Sequence, residues 1–238
     1  MVNLLESAAA DPWGTLNAFL DGPLHPGGVA ATERLLDRAD VGADTRLLDV
    51  GCGAGESLAV ARDRGATAVG LDDQPRSGAA VVGDMTSLPV ADDAVDVVLA
   101  ECVLCLSADY PEALAEARRV LRPGGRLASS EVVVDGDLPD VPATMAEALC
   151  LTGGRDRETV LGSVEAAGFD LGPVEGHREE LLAMRDELAG AVDYEGLLGM
   201  LGSKGRRALD GIEALETAVE AGRVDYVSVV ATAGGDAA

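Results

Sequence analysis

Asp49-Val-Gly-Cys-Gly-Ala-Gly55 places three glycines at alternate positions behind the apolar residues Leu47, Leu48 and Val50. The apolar run reads as a buried strand over 45–50. The glycines allow a sharp turn and let a ligand approach the backbone with no Cβ in the way. A helix beginning near Gly55 would point its free N–H groups at that ligand. Asp49, Gly51, Cys52, Gly53 and Gly55 are therefore candidate binding residues for a nucleotide-type group, although Cys52 is most simply a small packing residue.

Other residues could carry chemistry further along. Asp72 ends the next apolar strand, 21 residues after Gly51, which suits an acid bonding ribose hydroxyls. His25 and His177 are the only histidines. Each could act as a general base near neutral pH, or be structural. Glu131 is a strand acid with the same two readings. Cys102 and Cys105, with Cys150 later, could hold a soft metalloid such as arsenic(III) as acceptor. Alternatively they are small buried hydrophobes. Cys-x-x-Cys without a second pair does not make a zinc site, and no metal is expected.

The elements that must position these residues alternate strand and helix. The pattern predicts helices over 3–22 (with Trp13) and 30–39. Strand 45–50 is followed by a helix from Gly55 to Arg64, and strand 66–71 by strand 79–82. The link from Asp72 to Asp84 is too short for an ordinary crossover helix, so strand three is expected at or near the sheet edge. Next come strand 95–100, a helix from Asp109 to Leu121 and strand 126–134. Helices 143–151 and 156–167 and strand 170–176 follow. Helical pieces over 178–222 are expected to break at Gly190, Gly199, Gly202 and Gly205, and strand 224–232 is last. They are candidates for a lid or substrate wall, a dimer surface or plain packing. The order implies a doubly wound α/β sheet, with the ligand outside the carboxyl ends of the strands.

Composition bounds the function. A chain of 238 residues with 47% hydrophobic residues can bury a core of Ala, Val and Leu, since aromatics are only 3%. Net charge is −24 and Lys204 is the only lysine. This reads as an acidic surface, and more sharply as adaptation to high intracellular salt, a halophilic trait. It counts against nucleic acid as partner, there being no basic stripe to neutralise phosphates. No apolar run nears the ~18 residues of a membrane span, and the first residues lack a secretory pattern. A cytoplasmic protein with reduced thiols and a small-molecule substrate is expected, in an oligomeric state left open.

The spacing Gly-x-Gly-x-Gly, with Asp49 two residues before it, departs from the dinucleotide fingerprint and resembles motif I of the class I S-adenosylmethionine-dependent methyltransferases. Asp72, Asp84-Met85, the run Asp92–Ala100 and Arg119–Arg126 match that family in order. The resemblance covers 45–134 well and the rest loosely. It implies a Rossmann-like fold with a final antiparallel strand, S-adenosyl-L-methionine as cofactor, Asp72 on the ribose, and Asp84 and Met85 at the adenine. The whole chain would be one domain: a helical cap over 1–40, a core over 45–177, a helical insertion over 178–222 and a last strand over 223–232. The segment Glu101-Cys-Val-Leu-Cys105 would face the reacting sulfonium, making Glu101 a cofactor contact. It lacks the Asn/Asp-Pro-Pro-aromatic motif of exocyclic-amine methyltransferases and is similar to the quinone-precursor and arsenite branch. Candidate catalytic residues are Glu101, Cys102, His177 and His25. The function implied is methyl transfer to a small molecule; the alternatives are a non-catalytic cofactor-binding partner subunit and an NAD-type oxidoreductase.

Overall fold

The computed structural model describes residues 22–76, 80–138, 140–191 and 193–234. Residues 1–21, which hold Trp13 and nearly all of the helix expected over 3–22, lie outside them. In chain order the elements are α1 (Gly28–Arg38), β1 (Arg46–Val50), α2 (Glu56–Asp63), β2 (Thr67–Asp72), β3 (Ala80–Val82) and β4 (Val95–Glu101). A short 3-10 turn (Leu104–Leu106) leads to α3 (Tyr110–Val120) and β5 (Leu121–Val134). Then come α4 (Ala143–Ala148), α5 (Arg157–Ala166), β6 (Phe169–Gly176), α6 (Arg178–Ala191), α7 (Tyr194–Gly199), α8 (Ser203–Glu220) and β7 (Val224–Ala233).

The strands form one sheet in the order β3-β2-β1-β4-β5-β7-β6. β1 to β5 run parallel, and β7 is antiparallel to both β5 and β6. This is the doubly wound, Rossmann-like sheet with a final antiparallel strand. Strand periodicity divides the core between its two faces. Leu48, Val50, Val98 and Ala100 pack on the α3 side with Leu114, Ala117 and Val164. Leu47, Val97 and Leu99 pack on the α1–α2 side with Leu35, Leu36 and Leu58. The same alternation puts Asp49 and Glu101 on the α1–α2 side, at the carboxyl ends of adjacent central strands.

The link between β2 and β3 contains no helix among its described residues, 73–76. β3 is the sheet edge. With no crossover helix to cover them, Val69, Val81 and Val82 are 46%, 47% and 69% exposed.

Three expectations are corrected. β5 begins at Leu121 rather than at Arg126. Leu121 pairs with Val95 and Arg126 with Val97, so two steps of β4 face five of β5 and Arg122–Gly125 is carried as a bulge. Helix 143–151 ends at Ala148, and Cys150 is already in the left-handed region at φ 56°. Gly190 and Gly205 do not break the C-terminal helices but lie within α6 and α8. At Gly205 a Cβ would sit 1.7 Å from the Leu198 carbonyl oxygen, so that glycine serves α7–α8 packing. The new start is set by Asp193, which caps α7 by accepting from the Gly196 amide at 2.9 Å.

Candidate active site

A cavity of about 680 Å³ opens at the carboxyl ends of β1, β2, β3 and β4. One wall is the glycine turn, which folds back on β2 through amides of Gly51 and Cys52 that both donate to the Leu71 carbonyl. Gly51 has φ 73°, and a Cβ there would lie 2.2 Å from Val103 Cγ2. Gly53 has φ 50° with nothing within 4 Å of the Cβ position, which leaves an open approach to backbone. Gly55 is the left-handed N-cap of α2 and stands just outside the cavity lining. Cys52 lines the cavity, and burial first, then the nearby Asp49 and Asp72 charges, pushes its thiol up to about 12. It packs as a neutral thiol.

Asp49 is buried, and its Oδ2 has no hydrogen-bond partner among the described residues. Burial, then the Glu101 charge, pushes its carboxyl well above the ordinary carboxylate range, partly opposed by His25. A buried acceptor left open is costly unless a ligand completes it. Asp72 also lines the cavity and braces the turn: Oδ2 accepts from the Gly53 amide at 2.9 Å and Oδ1 from the Gln74 amide at 2.8 Å. Asp84 and Met85 line the far side of the cavity. Asp84 Oδ1 accepts from the Thr86 amide and hydroxyl, each at 2.8 Å, and these bonds hold its carboxyl below the usual range.

Glu101 also lines the cavity, but its oxygens are engaged. It accepts from Ser57 Oγ at 2.8 Å and from Thr32 Oγ1 at 3.1 and 3.2 Å, and pairs with His25 Nε2 at 3.3 Å. Burial alone would lower His25; the Glu101 carboxylate overrides it and raises the imidazole from 6.5 to about 9. His25 Nδ1 reaches the Pro26 carbonyl at 3.2 Å. The pair is thus a buried clamp joining the 23–27 turn, α1, α2 and β4. Sequence reasoning missed Thr32 and Ser57. The available signal was a hydroxyl on the helix face that also carries the buried Leu35 and Leu36.

His177 is elsewhere. It follows β6, bonds Ser228 Oγ at 2.7 Å and lies outside the cavity. None of the described residues of α6, α7 and α8 lines the cavity, so these helices supply packing rather than a wall there. Beyond β5 the cavity is reached only by Glu147, on α4, among the described residues. Cys102 lines it at φ 54°, and Cys150 Sγ donates to the Cys102 carbonyl at 2.9 Å. Cys105 and Cys150 are buried beneath, and both thiols are raised above their ordinary value. All four cysteines are free thiols. No three His, Cys, Asp or Glu groups among the described residues come together to hold a metal. Glu131 is buried against Tyr110, whose hydroxyl donates to it at 2.6 Å, and burial raises its carboxyl to about 7. It too stands off the cavity lining.

Residues 48–129, which contain the glycine turn, Asp72, Asp84 and Glu101, match a family described as a methyltransferase domain. That match, with the relatives below, supports a class I S-adenosylmethionine-dependent methyltransferase domain over these residues. The methyltransferase GfsG of Streptomyces halstedii is 38% identical over 170 residues, which are 63% of this chain and 61% of that protein. An arsenite methyltransferase of Halobacterium salinarum is 35% identical over 91 residues, 37% of this chain and 23% of that one. The chain thus spans less than two thirds of the length of these curated relatives. The crystal structure of the [4+2]-cyclase SpnF superposes with a TM-score of 0.70 at 24% identity, covering 97% of this chain and 94% of that one. That likeness concerns the fold of the methyltransferase domain. No helix among the described residues is long and apolar enough to cross a membrane.

Proposed function

We propose that the chain transfers a methyl group from S-adenosylmethionine to a small-molecule acceptor. The observation that carries this is the buried, unpartnered Asp49 Oδ2 beside an open-backed glycine turn. A cationic ligand would ionise and satisfy that carboxyl. The open approach at Gly53 leaves room for the methionine portion against the turn. In this reading Asp72 takes the ribose, and Asp84 with Met85 the adenine; all three line the cavity. When bound, S-adenosylmethionine supplies an electrophilic methyl on a sulfonium. The protein's part is alignment for in-line displacement, with the wall Cys102–Asp109 holding the acceptor. His25 and Glu101 neutralise one another and so act as positioning residues. The same proposal takes the acidic surface as salt adaptation and the free thiols as fitting a reducing, cytoplasmic setting.

A second reading has a specific support: a cyclase superposes over nearly the whole chain, and one fold hosts unrelated chemistries. In it the chain binds the cofactor without transferring its methyl, as a silent subunit would. Titration calorimetry should show binding of S-adenosylmethionine and none of NAD; binding of NAD alone would overturn the proposal. Asp49→Asn should weaken cofactor binding by about tenfold or more, the loss of one charge-assisted bond. Unchanged affinity would place the cofactor elsewhere. Incubation with labelled S-adenosylmethionine and a panel of arsenite, thiols, phenols and quinone precursors separates the two readings. Label on any acceptor removes the second. Arsenite turnover that survives Cys102→Ser and Cys105→Ser would show that the thiols do not hold the metalloid.

A further inference from the structure

The cavity carries a charge pattern beyond what the cofactor explains. Among the described residues eight acidic side chains line it, against two basic ones, His25 and Arg76. His25 is committed to Glu101. Arg76 stands beside the glycine turn, where its amide donates to the Gly53 carbonyl at 3.1 Å. Several acids belong to the cofactor side: Asp49, Asp72 and Asp84 are grouped around the turn and β3. The lining left for the acceptor in this reading, its mouth, is Leu106, Ser107, Ala108 and Asp109 with Glu147 of α4. Its charged groups are both carboxylates. Asp109 and Glu147 are both exposed.

The remainder of the chain cannot reverse this pattern. The segments 1–21, 77–79 and 235–238 and the single residues 139 and 192 contain no lysine, arginine or histidine. Wherever they lie, they bring no basic side chain to the mouth. Of the 18 lysines and arginines, only Arg76 lines the cavity among the described residues. A phosphate, diphosphate or carboxylate group entering beside Asp109 and Glu147 would meet like charge. Like charge at close quarters is an effective device for rejecting wrong ligands.

We propose that the acceptor reacts as an uncharged or positively charged molecule, and that phosphate-, diphosphate- and carboxylate-bearing molecules are excluded by the acidic mouth formed by Asp109 and Glu147. This rests on the methyl-transfer reading above. The first experiment does not depend on turnover. The protein saturated with S-adenosylhomocysteine is titrated by calorimetry with inorganic pyrophosphate and with malonate, with and without Mg²⁺, at low salt. No saturable binding is expected at millimolar anion. Saturable binding of either anion overturns the proposal, and its loss in Arg76→Gln would identify the cation overlooked. The variant carrying Ala108→Lys and Glu147→Lys, both at exposed positions, should gain pyrophosphate binding by about tenfold or more. A variant with both lysines that binds no better than wild type also overturns it, since mouth charge would then not decide.

The second experiment uses labelled S-adenosylmethionine and a small-molecule extract separated on an anion exchanger. Label is expected in unretained material. Label in the retained fraction overturns the exclusion. Absence of label from every fraction counts against methyl transfer itself, while the calorimetry still decides the charge of the mouth.

Discussion

Glu101 shows how one buried charge can be held at the edge of a site. Its carboxylate receives two hydroxyls and an imidazolium, each from a different piece of chain. Breaking such a pair from one side leaves an uncompensated charge, and the cost is about 3–5 kcal/mol. The His25 shift gives this a pH signature. His25 rises from 6.5 to about 9 on folding, so its contribution is fully present below 6.5 and is lost as pH rises through about 9. The difference between those two values is worth about 3 kcal/mol. Urea unfolding should therefore show wild type well above His25→Gln in mildly acidic buffer, with the gap narrowing in alkaline buffer. A gap that is constant across pH would mean the imidazole is neutral in the clamp.

At the scale of elements, the glycine turn separates two jobs that glycine can do. Gly51 is a packing glycine: a side chain would drive into Val103. Gly53 is an access glycine, with open space where a Cβ would go. Gly51→Ala should destabilise the ligand-free protein by about 2–4 kcal/mol, from overpacking and left-handed strain together. Gly53→Ala should cost about 1 kcal/mol of stability yet lower S-adenosylmethionine affinity by tenfold or more. Urea unfolding and calorimetry on both variants check the split; equal effects of the two on affinity would show that Gly53 does not face the ligand. The shortened β2–β3 link is the other element-scale feature, and it leaves valines of the sheet edge uncovered. None of the described residues of α6, α7 and α8 lines the cavity.

Across the whole molecule, the surplus of acid outweighs the ion pairs that salt would weaken. The paired arginines, such as Arg46 and Arg122 on Asp96 or Arg119 on Glu116 and Asp92, are mostly exposed pairs of small individual worth. Against them stands a net charge of −24. Screening over ~10 Å at 0.1 M salt, and over ~3 Å at 1 M, should therefore help more than it harms. The melting temperature should rise by about 5 °C or more between ~0.1 M and ~1 M KCl, read by circular dichroism. A flat or falling trend would remove the salt-adaptation reading. The same screening should relax discrimination against anions at the cavity mouth, where the charges lie in solvent.

The sequence alone carried the order of strands and helices along the chain and pointed to the strand ends and to Asp49, Gly51, Gly53, Asp72, Asp84 and Glu101, which line the cavity there. These follow from local rules: side-chain period, the backbone freedom of glycine, and short spacings along one strand–turn–helix unit. Even the cut crossover was legible, because chain length limits what a link can contain. The tertiary structure decided how those residues are used. That Glu101 is clamped by His25, Thr32 and Ser57, that His177 bonds Ser228 away from the cavity, and that Glu147 joins Asp109 in the lining depend on partners between 44 and 76 residues apart in sequence, or on placement against the same cavity. Local pattern cannot carry such pairings, since they arise only when the layers close over the sheet. The β5 bulge was missed for a related reason: Pro123 and Gly124 read locally as a turn, but pairing with β4 on both sides keeps them within the strand.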